Sequence, residues 1–191
     1  MTKNIGQIKL LRGKTGASLM DCKIALQDEN NNFEKALINL QKKGFASAEK
    51  KRSRLTTEGI ITSYIHSGSK LGVLLELNCE TDFVARRIEF KTLAHKLAIQ
   101  VASCNTIKYI SFSDIPTEEL NLIKETTASS DEKLIAKKAI SRENFSFITL
   151  LDQQYFENPT LTVEDYIKTQ ISLLGENITV KRFCKYRLGE N

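Results

Sequence analysis

The chain of 191 residues carries a formal net charge of +5, with 41% hydrophobic and 27% charged residues. This composition is ordinary for a globular protein and excludes an intrinsically disordered chain. No apolar run approaches the roughly 20 residues needed to cross a bilayer, so the sequence predicts no membrane association. The length predicts one or two domains.

Residues 1–46 have the pattern of three short amphipathic helices. The first is predicted to stop at Gly13, the second to begin at the N-cap Ser18, and the third to run from the N-cap Asn32 to Gly44. Three such helices predict a small bundle at the N-terminus.

Residues 47–57 are charged and weakly patterned, which indicates a helix extension or a linker between domains. The apolar period then changes. Residues 59–66 alternate apolar and polar side chains, a turn follows, and residues 71–79 form a more buried run, so a β-hairpin is predicted. A helix is predicted over residues 83–102.

The rest of the chain is predicted to add helices and one more strand. Helices over 117–127 and 131–143 precede an irregular stretch, 144–161. A helix over 162–174 is closed by Gly175, and residues 177–188 alternate as a strand that completes the sheet. The predicted class is α+β: a three-helix bundle (1–46), a linker (47–57) and a core domain (58–191) with a small antiparallel sheet packed against helices.

Motifs for covalent chemistry are missing from the sequence. The four cysteines form no CxxC pair, which argues against structural zinc, and neither His66 nor His95 lies in a metal or nucleophile motif. Gly13-Lys14-Thr15 matches the end of a phosphate-binding loop, but Ile8 occupies the position of its first glycine and the preceding pattern is helical. We therefore expect no enzyme activity, no metal and no cofactor.

A basic run between Lys50 and Arg54 raises the question of RNA binding. A run of this length is typical of a solvated helix end or linker, and an RNA contact is the alternative interpretation. No aromatic-rich RNA-binding motif accompanies it, so no direct nucleic-acid contact is expected. The first residues resemble no export signal, which predicts a reducing compartment in which the thiols stay free.

The segment Asn78-Cys79-Glu80-Thr81-Asp82-Phe83-Val84-Ala85-Arg86 joins a predicted strand to a predicted helix. The structural interpretation is that Thr81 caps the helix, Asp82 complements the helix dipole and Phe83 packs locally. A helix start also holds its side chains rigidly, as suits a probe inserted into a partner. Both interpretations apply to the same residues.

Three segments resemble the translation elongation factor Ts family, in the same order along the chain. They are Leu11-Arg12-Gly13-Lys14-Thr15-Gly16-Ala17 with Met20-Asp21-Cys22-Lys23, then Thr81-Asp82-Phe83-Val84-Ala85-Arg86, and finally Leu174-Gly175-Glu176-Asn177-Ile178. The resemblance implies a guanine-nucleotide exchange factor that binds elongation factor Tu·GDP, displaces Mg²⁺ and promotes GDP release. It also implies a ubiquitin-associated-like fold for the N-terminal bundle.

The resemblance further implies roles for individual residues. Thr81, Asp82, Phe83 and Val84 are expected to act near the Mg²⁺ site of the partner, with Phe83 wedged between helices. A second contact is expected from the bundle, through Lys9, Arg12, Thr15, Met20 and Lys23. The single hairpin resembles the short form of the family, which implies a homodimer. Short length and an AT-rich composition resemble plastid-encoded members, with a bacterial cytoplasm as the alternative.

Overall fold

The computed structural model of the chain describes residues 2–120 and 146–190. The N-terminal part consists of α1 (Thr2–Thr15), α2 (Leu19–Asp28) and α3 (Phe33–Lys51). The remainder contains β1 (Glu58–Ile65), β2 (Leu71–Cys79), α4 (Asp82–Ala85), α5 (Ile88–Ser103), β3 (Gln154–Tyr155), β4 (Asn158–Thr162), α6 (Val163–Leu174) and β5 (Ile178–Arg187).

The predicted starts of the second and third helices are confirmed. The Ser18 hydroxyl accepts a hydrogen bond from the Asp21 amide at 3.0 Å, and the Asn32 side-chain oxygen accepts one from the Lys35 amide at 3.1 Å. These side chains satisfy amide groups that have no partner within their helices. Below the caps, the three helices share a small apolar core: Leu11, Cys22, Ala25, Leu26, Ala36 and Leu40.

The predicted ends of two of these helices are wrong. The first helix continues past Gly13 to Thr15, and Gly16, with φ of +69°, follows it. The third continues past Gly44 to Lys51, and so includes the start of the stretch that the sequence leaves open as extension or linker. Gly44 is buried, and a Cβ built on it would lie 2.9 Å from the Ser172 hydroxyl. This glycine therefore allows α3 to approach α6 closely and does not reverse the chain.

The predicted hairpin and final strand are confirmed. β1 pairs with β2, and β2 pairs with β5, so the antiparallel sheet has the order β1-β2-β5. Residues that face inward from all three strands, such as Ile60, Val73 and Ile178, pack in the same core as α5 and α6. The α+β class is confirmed.

The single helix predicted over 83–102 is wrong in one respect, because the helix is interrupted at Arg86 and Arg87. Arg87 has an extended conformation (φ −66°, ψ 143°) and precedes α5 as its N-cap. The break separates the short α4 from the buried α5. A local change of direction of this kind leaves no gap in the apolar pattern, so the pattern contains no signal for it.

The stretch predicted to be irregular over 144–161 contains two short strands in its described part. β3 pairs with β4, with Gln154 opposite Thr162. The helix predicted over 131–143 lies outside the described residues, and the one predicted over 117–127 is described only as far as 120, where it is helical. Along 2–120 and 146–190, no helix combines the length and apolar character needed to cross a membrane.

Candidate functional site

The segment between β2 and α5, residues 80–86, forms a sharp strand-to-helix corner. Phe83 projects from it with 78% of its surface exposed, although phenylalanine is usually buried. The next two residues, Val84 and Ala85, are buried in the main core. An exposed ring therefore stands on a well-anchored base, and the expectation that Phe83 packs locally is wrong.

Thr81 does not cap α4 with its side chain, contrary to the structural interpretation of the sequence. Its hydroxyl donates to one carboxylate oxygen of Glu176 at 2.6 Å, and its backbone amide donates to the other at 3.0 Å. Both carboxylate oxygens of one side chain therefore fix the residue before the exposed ring. Hydrogen bonds to a charged acceptor are stronger than neutral ones.

Asp82 opens α4 and forms an ion pair with Arg86 one turn later, at 2.7 Å. The Asp82 side chain remains 45% exposed. Asp82 and Phe83 therefore present a carboxylate and an aromatic ring side by side at the surface. The pair with Arg86 limits the orientations of the carboxylate without burying it.

Cys79 supports the corner from inside. Its thiol donates to the Thr81 carbonyl at 3.1 Å, and its side chain is buried. Burial, followed by the nearby Glu176 carboxylate, raises the pKa of the thiol to about 11. Cys79 therefore stays protonated at neutral pH and acts as a hydrogen-bond donor within the core.

Sequence reasoning assigned no role to three residues that hold this corner. The backbone amide of Asn177 donates to the Glu80 carboxylate at 2.6 Å. The side-chain amide of Asn177 donates to the backbone carbonyls of Arg52 at 3.2 Å and Arg54 at 2.9 Å. Glu176 binds Thr81 as described. The sequence offered one signal for Glu176 and Asn177, which is that two polar residues directly follow the helix-ending Gly175. In the structure, only 2% of the Asn177 surface is exposed.

The predicted docking residues of the bundle divide into two groups. Lys9, Arg12, Met20 and Lys23 are exposed on α1 and α2. Thr15 is buried: its hydroxyl donates to the Leu11 carbonyl at 2.7 Å, and its carbonyl accepts from Ser172 at 3.2 Å. Thr15 therefore lies in the contact between α1 and α6.

The discounted motifs have structural roles. Gly13-Lys14-Thr15 lies in the last turn of α1, and His66 bonds through Nδ1 to the Tyr64 hydroxyl at 2.9 Å. Two arginines of the basic run pair with acids, Arg52 with Glu164 at 3.9 Å and Arg54 with Glu80 at 3.4 Å. Over the described ranges, no cluster of three His, Cys, Asp or Glu side chains is arranged to hold a metal ion.

Comparison with known proteins identifies the same family along nearly the whole chain. The family model described as Elongation factor TS matches residues 23–190. Chloroplastic elongation factor Ts of Pyropia yezoensis is 45% identical over 95% of this chain and 86% of its own length. The Guillardia theta chloroplastic protein is 47% identical over 96% and 87%, and elongation factor Ts of Prochlorococcus marinus (strain MIT 9301) is 47% identical over 96% and 88%.

Proposed function

We propose that this chain, which belongs to the elongation factor Ts family, is a guanine-nucleotide exchange factor that binds elongation factor Tu·GDP, displaces Mg²⁺ and promotes GDP release. The observation that carries the proposal is Phe83, an exposed ring on an anchored corner, with the Asp82 carboxylate beside it. Within a folded domain, an isolated large apolar side chain that is held in place suits insertion into a partner.

Nucleotide exchange requires no covalent bond to be made or broken. GTPases hold GDP with a phosphate-binding loop, a lysine and Mg²⁺, and the metal is often the largest local charge in such a site. A protein that binds the nucleotide-free state more tightly than the GDP state weakens GDP binding by the same ratio. The chain therefore acts as an exchange factor without enzyme activity or a cofactor of its own.

Phe83 supplies a defined part of the required energy. Full burial of a phenylalanine side chain contributes about 1.5–3 kcal/mol. Because about 1.4 kcal/mol corresponds to a tenfold change in affinity, insertion of this ring alone favours the open partner by about 10- to 100-fold. Asp82 adds a negative charge that competes with the groups ordering Mg²⁺.

The bundle provides the second contact. Lys9, Arg12, Met20 and Lys23 present two kinds of chemistry, three cationic groups and one flexible thioether, on exposed helix surface. We assign Thr15 and Val84 to support, because each is buried beneath its part of the surface.

The experiment is stopped-flow release of a fluorescent GDP from elongation factor Tu. The wild-type chain is expected to accelerate release, and Phe83→Ala and Asp82→Ala to slow the stimulated rate by about tenfold or more. Phe147→Ala is the matched control, because Phe147 is also an exposed phenylalanine and lies outside the corner. A wild-type chain that does not accelerate release contradicts the proposal.

RNA binding through the basic run is the competing function. It predicts an affinity for RNA that falls steeply with salt and no effect on a GTPase. The ion pairs of Arg52 and Arg54 with acids count against it. A pull-down of elongation factor Tu that excess GDP abolishes favours exchange, whereas salt-sensitive RNA capture without GDP competition favours the alternative.

We also propose that a second copy of this chain covers the outer face of the sheet. This face carries exposed Ile61, Ile65, Leu74 and Tyr186, while the inner face packs on helices. Its Glu76 and Arg182 pair with each other at 2.6 Å, so two identical faces meet without uncompensated like charges.

Sedimentation of the purified chain tests this pairing. The wild-type chain is expected to sediment as a dimer and Leu74→Arg as a monomer, while Ile38→Arg, an exposed position on α3, leaves the dimer intact. A monomeric wild-type chain at micromolar concentration contradicts the proposed dimer.

Because relatives of this chain come from chloroplasts and from Prochlorococcus, we propose that it acts in the plastid stroma, with a bacterial cytoplasm as the alternative.

A further inference from the structure

We infer that Glu176 is a positioning residue for the exposed corner, and that Asn177 connects this corner to the N-terminal bundle. The inference rests on the proposed function, since it concerns how the corner is presented to a partner. It is carried by the hydrogen bonds that join residues 80–81 to residues 176–177.

The two segments are joined by hydrogen bonds in both directions. The Glu176 carboxylate accepts hydrogen bonds from the backbone amide of Thr81 at 3.0 Å and from its hydroxyl at 2.6 Å. The Glu80 carboxylate accepts a hydrogen bond from the backbone amide of Asn177 at 2.6 Å. Each segment thus provides the acceptor for an amide of the other. The start of α4 and the start of β5 are fixed to each other across 95 residues of sequence.

Asn177 extends this connection to the bundle. Its side-chain amide donates to the carbonyls of Arg52 and Arg54, in the segment that leaves α3. Asn177 is buried, so both donors are protected from water. A second contact supports the same segment, because the hydroxyls of Thr56 and Thr179 lie 2.8 Å apart.

The consequence concerns the distance between two surfaces. A ring that enters a partner while a bundle docks elsewhere must keep a fixed offset from that bundle, and ordering the corner during folding avoids an entropic cost during binding. Because the hydroxyl of Thr81 is committed to Glu176, we assign Thr81 to orientation of the corner and leave contact to Phe83 and Asp82.

The test combines substitutions at both ends of the Thr81–Glu176 contact. Glu176→Ala removes both acceptors, and Thr81→Val removes one donor at constant shape. Thr81→Ser keeps the hydroxyl and is the conservative control. The GDP release rate at saturating factor is measured for each variant, alone and combined with Phe83→Ala. Circular dichroism reports folding, and hydrogen exchange of the 80–86 amides reports order at the corner.

We expect Glu176→Ala to lower the saturated rate by about tenfold in the wild-type background and by less than about twofold with Phe83→Ala, because the ring is then already absent. Thr81→Val is expected to follow Glu176→Ala, Thr81→Ser to restore the rate, and exchange at the corner to rise in the two damaging variants. A purely structural role gives additive losses instead.

The outcomes separate this inference from the proposed function. If the wild-type chain accelerates GDP release and Phe83→Ala is slower by about tenfold, but folded Glu176→Ala and Thr81→Val retain the full rate, the positioning role is overturned and the exchange function stands. If the wild-type chain fails to accelerate release, the exchange function fails. Unchanged hydrogen exchange at residues 80–86 in Glu176→Ala overturns the positioning role on its own.

Discussion

Gly16 lies directly against the backbone of Leu173, so that a Cβ built on Gly16 would stand 2.5 Å from the Leu173 Cα. Gly16 also has φ of +69°, a conformation that residues with a side chain rarely adopt. The end of α1 and the end of α6 therefore meet where only glycine fits. This contact joins the three N-terminal helices to the rest of the fold.

Gly16→Ala is expected to lower the free energy of unfolding by about 2–4 kcal/mol, because it combines a strained φ with overpacking against a backbone. Urea denaturation measures it. Gly13→Ala is the matched control: Gly13 lies within α1 with nothing within 4 Å of its Cβ position, so alanine is expected to stabilise by about 0.5–1 kcal/mol. Equal effects of the two substitutions contradict this account.

The correct predictions depend on local signals. Ser18 and Asn32 precede apolar periods by the spacing of an N-cap, and Gly175 follows one and takes φ of +86°. The hairpin has its turn between two apolar runs. Each of these features is set by interactions within a few residues, so the sequence contains the whole signal.

The incorrect or missing predictions depend on contacts between distant segments. Gly44 has the signature of a helix end, but its partner is Ser172 on α6. Thr81 has the signature of an N-cap, but its partner is Glu176. In both cases a local propensity is overridden by tertiary packing, which a single sequence does not reveal.

Phe83 and Val84 are adjacent, and we expect opposite responses to truncation. Phe83→Ala is expected to change the free energy of unfolding by less than about 0.5 kcal/mol, because the ring is exposed. Val84→Ala is expected to cost about 1–3 kcal/mol, because it leaves a cavity in the core. Chemical denaturation of both variants checks the pair, and a large loss in Phe83→Ala means that the ring packs against the fold.

The buried thiol of Cys79 gives a pH dependence to stability. Burial raises its pKa from 9.0 to about 11, so folding favours the protonated thiol. This contribution is fully present below about pH 9 and is lost as the pH rises through about 11. Between about pH 9 and 11, we expect the free energy of unfolding to fall more steeply for the wild-type chain than for Cys79→Ala.

Urea unfolding at several pH values in this window, under reducing conditions, measures the two slopes. The comparison isolates Cys79, because the other buried groups, including Cys22 and Tyr155, whose pKa values burial also raises, are common to both chains. Parallel slopes contradict the prediction.

The buried side chain of Gln100 holds the β3–β4 hairpin on α5. Its oxygen accepts from the Phe156 amide at 3.0 Å, and its amide donates to the Gln154 carbonyl at 3.2 Å. Gln100→Met keeps the length of the side chain and leaves both backbone groups without their side-chain partner. Because each buried unpaired group costs about 1–3 kcal/mol, we expect a loss of about 2–4 kcal/mol in the free energy of unfolding.

Gln100→Glu separates the two hydrogen bonds, because it keeps the acceptor for Phe156 and loses the donor to Gln154. Denaturation of the three chains at neutral pH is expected to place Gln100→Glu below the wild type, because an ionised carboxylate at this buried position has no donor for the Gln154 carbonyl. Hydrogen exchange at the Phe156 amide is expected to rise in Gln100→Met and to stay low in Gln100→Glu. Equal exchange of the Phe156 amide in all three chains contradicts its hydrogen bond to Gln100. Loss of that acceptor in Gln100→Met would open the hairpin and expose this amide to water.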